Sequence, residues 1–186
     1  MSDFKAIAGA TSTLERLLRA KLGIEVDTLH PPTEITATTT PLVGIFLYRV
    51  EINPFLVNLD WKRTGSTQLA APPCGLNLDY LITPYGPDLI EIQRTLGEVI
   101  RTFHDFPVVD ASDPLLSPEL AGMTEELRIV PHPMALNDMI ELWKSFEKLS
   151  YRLAVTYQVS VAVIDSTLSR SVLPVQERSL DLSPLR

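Results

Sequence analysis

From Tyr151 to Val163 every odd-numbered residue is apolar (Tyr, Leu, Val, Tyr, Val, Val, Val), while the even positions read Arg, Ala, Thr, Gln, Ser and Ala. Side chains alternate between the two faces of a strand, so seven matches in seven define a long, half-buried strand. Such a strand needs neighbours to satisfy its backbone and a cover for its apolar face. Any fold for this chain must therefore supply a sheet and a layer packed on it.

Two more segments read as strands. Leu42–Ile52 is apolar on both alternating sets until Arg49 and Glu51, which predicts a central strand covered on both faces. Cys74–Thr83 places Leu76, Leu78, Tyr80 and Ile82 on one face, opposite Asn77, Asp79 and Thr83. Pro84-Tyr85-Gly86-Pro87 then reads as a turn, with Pro87 at a first helical position. A short strand is expected over 126–130, before Pro131-His132-Pro133.

Helical spacing marks three segments. Residues 3–22 carry Ile7, Leu14, Leu18 and Leu22 and stop at Gly23. Leu89, Ile92, Leu96, Val99, Ile100 and Phe103 form one stripe, with Gln93, Arg94, Glu98 and Arg101 turned away. A third helix is expected from Asn137, as its cap, to about Leu149, with Met139, Trp143 and Phe146 on one face. Residues 55–73 read as a surface excursion and 105–124 as a long loop with Pro107, Pro114 and Pro118. The resulting fold class is α+β, a mainly antiparallel sheet covered by three helices in a single domain. Residues 1–165 form that domain, and the aperiodic stretch 166–186 is expected as a polar C-terminal tail, mobile or docked on a neighbour.

Function classes narrow by exclusion. A net charge of −7 repels phosphate backbones, and Trp61-Lys62-Arg63 is the nearest approach to a basic patch, so nucleic acid is not expected as a partner. The apolar run Leu42–Tyr48 is too short to cross a bilayer, and the amino terminus lacks a basic, then apolar, leader. A cytoplasmic site of synthesis is expected. The single cysteine, Cys74, allows no intrachain disulfide and reads as a buried structural thiol. His104-Asp105 is the most tempting catalytic pair, yet adjacent residues seldom face each other, and a histidine favoured by the helix C-terminal dipole is the plainer reading. His30 and His132 stand beside prolines without a partner at metal-ligand spacing. Asp110-Ala-Ser-Asp113 lacks the glycine and distal glutamate of a calcium loop. No phosphate-binding loop or nucleophile elbow occurs among the eight scattered glycines. Neither an enzyme nor a cofactor or metal site is therefore expected. Tyr48, Tyr80, Tyr85, Trp143, Tyr151 and Tyr157 could anchor an interface, although core placement suits Trp143 and Tyr157 better.

Four stretches carry a resemblance. Leu47–Pro54 (LYRVEINP) is similar to an "LYRVEENP" signature, and Pro72–Tyr85 to "PPLxLDLHYLLTPY". Leu96–Pro107 resembles "LGxVMRxLHDxP", and Leu142-Trp143 followed by Tyr151–Val161 resembles a tryptophan helix leading into "YRLSVxYxVSVV". In order, and over about residues 1–165, these resemble the cap, or tube-terminator, proteins of extracellular contractile injection systems of the antifeeding-prophage and virulence-cassette type. The resemblance implies a phage tail-terminator-like fold and a structural, ring-forming subunit, a hexamer, that closes the tube and sheath. It implies as partners other copies of the chain and the tube and sheath proteins, in a particle assembled in the cytoplasm and then released. An adaptor or assembly factor of the same particle is the alternative. The motif residues Tyr48, Arg49, Asn53, Pro54, Tyr80, Thr83, Pro84, Tyr85, Trp143 and Tyr151 are the candidate interface. Asn77, Asp79 (before Tyr80) and Phe103 depart mildly from the family pattern, which often shows aspartate, histidine and leucine there, and many members continue into a longer C-terminal extension.

Overall fold

The computed structural model describes residues 4–35, 39–57, 59–122, 126–146 and 151–172. Helix α1 (Ala6–Leu22) buries Leu14, Leu17 and Leu18 together with the small Ala6, Gly9 and Ala10. It ends on Gly23, whose φ of 68° is a left-handed conformation that glycine adopts without a Cβ penalty; its N–H donates to the Arg19 carbonyl. Strand β1 (Glu25–Asp27) follows, then β2 (Leu42–Ile52), at the bounds expected from its apolar run. A single 3-10 turn, Pro54–Leu56, leads to β3 (Lys62–Arg63) and β4 (Gln68–Ala70). Strand β5 (Cys74–Tyr85) continues two residues past its expected end at Thr83, into the expected turn. Pro84 is tolerated there because β5 pairs with the long C-terminal strand only as far as Ile82, so no ladder bond on that side is lost.

Helix α2 (Leu89–Asp105) is capped by Asp88, whose carboxylate accepts from the N–H groups of Ile90 and Glu91; Pro87 thus precedes the cap rather than opening the helix. The loop after it contains β6 (Val108–Val109) and a second 3-10 turn, Pro118–Leu120. Next come β7 (Leu127–Pro131) and α3 (Leu136–Ser145), whose N-cap is Ala135, two residues before the expected cap Asn137 and without a side-chain hydrogen bond. Residues 147–149 of the expected third helix lie outside the described residues. Strand β8 (Val155–Ile164) realises the long alternating run from Val155 onward; Tyr151–Ala154 lead into it without joining the ladder. Strand β9 (Ser169–Ser171) lies within the segment expected as tail; residues 173–186 lie outside the described residues.

Six strands make one sheet in the order β1-β2-β5-β8-β7-β6, antiparallel except for β1 beside β2. One face packs against α1 and α2: Val43 and Ile45, Leu78, Tyr80 and Ile82, Tyr157 and Val159 close on Leu14, Leu18, Val99 and Phe103. Burying each such side chain is worth about 1.5–3 kcal/mol. The opposite face holds Leu81 and Phe46 under Met139 and Trp143 of α3, with Ile35 over Leu42 and Tyr85 beside them. The alternation of β8 serves the first face at Val155, Tyr157 and Val159. A register shift opposite Leu76/Asn77 then brings Ile164 onto that core. Strands β3, β4 and β9 form a separate small sheet, order β3-β4-β9, past the ends of β5 and β8.

Candidate functional site

The first two signature stretches meet in space. Strand β2 pairs with β5 from Leu42 to Leu47, then slips by one residue, so that Arg49 stands opposite Asp79 and Tyr48 is the extra residue of a β-bulge. The bulge puts Tyr48 and Arg49 on the α3 side of the sheet together. Arg49 Nε donates to Asp79 Oδ2 at 2.6 Å, and Gln158 Nε2 of β8 donates to the other oxygen at 2.9 Å. Asp79 is fully buried, whereas Arg49 is half exposed and also reaches Glu51 at 3.3 Å. The hydrogen bond to Asp79 holds the Arg49 guanidinium above its ordinary pKa. His132 Nε2 lies 3.5 Å from the same guanidinium, carried there by the hydrogen bond from its N–H to the Thr156 carbonyl. A buried carboxylate is tolerable only when its lone pairs are taken, and here three strands share that task.

Asn53 closes the end of β2. Its side chain accepts from the Phe55 N–H and donates to Asn77, and its N–H donates to the Gly75 carbonyl. Pro54 opens the 3-10 turn that follows and is exposed. The LYRVEINP and LNLDY stretches are therefore two sides of one interlock, with no nucleophile and base placed together.

The remaining candidates divide by burial. Tyr80 is fully buried on the α1 side, where its hydroxyl lies 2.9 Å from Thr11 Oγ1; burial pushes its pKa well up, and the Thr11 bond only partly offsets this. Thr83, Pro84 and Tyr85 end a strand instead of forming a turn, and all three are buried. Burial lifts the Tyr85 phenol to about 12, against the opposing charge of Arg152, whose guanidinium sits 5.1 Å from the ring centroid. Trp143 is buried with Phe146 and Tyr151 edge-on at 5.8 and 6.4 Å, and Tyr151 is half exposed. The hydroxyls of Tyr48, Thr83 and Tyr85 and the Trp143 indole N–H have no hydrogen-bond partner among the described residues. Of the ten candidates, Arg49, Pro54 and Tyr151 are thus surface residues of the protomer, and the others shape its interior.

Cys74, expected as a buried thiol, is exposed at the first position of β5, where none of the described residues covers it. His104 occupies the exposed last turn of α2, as the dipole reading requires. His30, expected without a partner at metal-ligand spacing, binds the single carboxylate of Asp27 at 2.9 Å. That hydrogen bond raises the imidazole pKa. Asp27 is lowered, because bonds from His30 and from two backbone N–H groups outweigh the effect of its burial. Among the described residues no group of three or more His, Cys, Asp or Glu side chains is placed to hold a metal ion, and no helix is long and apolar enough to cross a membrane.

A mixed six-stranded sheet between two helices and a third is a fold that solved structures share. The chain resembles an extracellular contractile injection system protein, the PVC sheath/tube terminator in its extended state, at 20% identity and TM-score 0.66 over 97% of its length. It likewise resembles the tube-terminating cap of the anti-feeding prophage, at 19% identity and TM-score 0.61 over 94%. It spans 64% and 61% of those two chains. No curated protein matches it. Residues 9–178 match the Pvc16 N-terminal domain, and the chain belongs to that family.

Proposed function

We propose that this chain is the structural cap subunit that terminates the inner tube and sheath of a contractile injection particle, as a ring of identical copies, with a hexamer as the expected closure. The observation that carries this reading is the fold it shares with two tube-terminating proteins, reached through motifs that converge on one structural interlock. A ring subunit needs a rigid frame and head-to-tail contacts that close after a fixed rotation, and a substrate pocket is no part of that requirement. Its partners on this reading are other copies of the chain and the tube and sheath proteins, and it acts without catalysis. Assembly takes place in the cytoplasm before the particle leaves the cell. Residues 1–165 supply the cap domain, and β9 of the following segment completes its small sheet. Arg49, Pro54 and Tyr151 are the motif residues left to make surface contacts.

Electron microscopy of particles from cells with and without the gene tests this reading. Open tube ends, variable lengths or unstable sheaths are expected without it. Unchanged particles, with the protein absent from the wild-type ones, would instead favour the adaptor role.

A further inference from the structure

The small sheet is chemically unlike the rest of this acidic molecule. Lys62, Arg63 and Arg170 are exposed on it, and no Asp or Glu occurs from Trp61 to Leu78 or from Ser166 to Val172. Arg63 and Arg170 flank Leu69 across the three strands and so share a face; the Arg170 guanidinium lies 4.5 Å from the centroid of Trp61. None of the three cations forms an ion pair among the described residues. At the same end of the main sheet the Asn53-capped turn holds Phe55 89% exposed, and Ile52 and Val57 are exposed as well. A rigidly held apolar knob at the same end as unpaired cations has the anatomy of a docking surface with a charged rim.

The complementary surface lies elsewhere on the same chain. From Thr102 to Leu127 there are six acidic residues and no Lys or Arg. Much of this segment runs back along α1 as a strap: Phe106 sits under Lys21, the Leu115 and Pro114 carbonyls accept from Arg16, and the Ser117 N–H donates to Thr13. Lys21 and Arg16 thereby meet a ring and two carbonyls, and Arg19 pairs with Glu15 of its own helix, which leaves the strap's carboxylates alone. Asp105, Asp110 and Glu119 are exposed without an ion pair among the described residues. Because the two features occupy different parts of the fold, a contact between them is heterologous, the kind that propagates into a ring.

We infer that the β3-β4-β9 outcrop of one copy docks on the α1 strap of the next, through Lys62, Arg63 and Arg170 against Asp105, Asp110 and Glu119. This inference rests on the ring reading and adds the surfaces that close it. Electrostatic steering then makes assembly rapid at low salt and weaker as salt rises.

The test uses the purified full chain, with its assembly measured by light scattering and native mass spectrometry. One variant reverses the outcrop (Lys62→Glu, Arg63→Glu, Arg170→Glu) and another the strap (Asp105→Lys, Glu119→Lys). Each alone should lose assembly by roughly tenfold or more in apparent affinity. An equimolar mixture should recover it as alternating rings, since each reversed surface then meets its opposite. Circular dichroism of each variant checks its fold, and recovery in the mixture does so independently. If wild type and both variants assemble equally, the docking is wrong while the ring stands. A wild-type chain monomeric even at low salt would remove self-assembly, and the ring reading of the isolated chain with it. If the outcrop variant assembles normally but no longer binds purified tubes, the occupant is the tube protein and this inference fails.

Discussion

At the scale of single residues, the Arg49–Asp79 contact decides the most. Removing the arginine leaves a fully buried carboxylate with Gln158 as its only hydrogen-bonding side chain among the described residues. Breaking a fully buried pair costs about 3–5 kcal/mol; Arg49 is half exposed, so Arg49→Ala should cost roughly 2 kcal/mol in urea unfolding. Arg49→Met with Asp79→Leu should recover most of that loss, because no charge then remains buried. A double variant less stable than either single one would show that the pair does more than neutralise itself. His30 supplies the pH dependence. Its pKa is raised in the folded chain by Asp27, so the pair's stabilisation is fully present below the ordinary imidazole value of 6.5 and fades as pH rises through the folded value. The lowered Asp27 sets the acid limit: its contribution is present above 3.8 and is lost as pH falls through the folded value. Melting temperatures of wild type and His30→Ala should therefore differ at about pH 5.5 and converge by about pH 8. A difference that grows toward pH 8 would contradict this assignment.

At the scale of elements, two attachments are exposed to test. Gly9 lets α1 approach the strap: a Cβ there would stand 2.6 Å from Leu120 Cγ, and Leu120 is buried. Alanine is the better helix former by about 1 kcal/mol, but overpacking costs about 1–3 kcal/mol. Gly9→Ala should consequently destabilise the protein in spite of propensity, and a gain in melting temperature would show that the strap yields easily. Helix α3 is held mainly through Met139 and Trp143 over Leu81. Trp143→Ala should cost about 3–5 kcal/mol by thermal unfolding, as expected for a fully buried aromatic side chain.

At the scale of the whole molecule, the two sheets should differ in stability. Strand β5 is paired along both edges and buried over nearly all its length, whereas β3 and β9 are exposed throughout. Amide exchange should be slowest in β5 and fastest in β3, β4 and β9, where opening exposes little new apolar surface. In assembled rings the outcrop amides should slow, since docking would cover them. Equal protection of both sheets in the isolated chain would mean that the outcrop is an integral part of the core.

Periodicity was enough to reveal the helices and main strands, because a period of two or of 3.6 is a local property of the backbone. The bounds of β2, the stop at Gly23 and the core face of β8 were all legible that way. The candidate residues were legible as types and motifs, but their partners were not: Arg49 and Asp79 lie thirty positions apart, and only a bulge in β2 turns them toward each other. Tyr85 read as a turn residue because Pro84 beside it is a local breaker; pairing with β2 carried the strand past it. Cys74 read as buried because it opens a strand with no basic residue beside it, yet exposure depends on what stands over the strand's end. The sequence by itself thus determined the three helices and the strands β2, β5, β7 and β8, while the short strands β1, β3, β4, β6 and β9 carry too few residues to show a period. Tertiary structure alone decided which strands pair, where the register slips, and which charges are left without a partner, because those depend on contacts between residues distant along the chain.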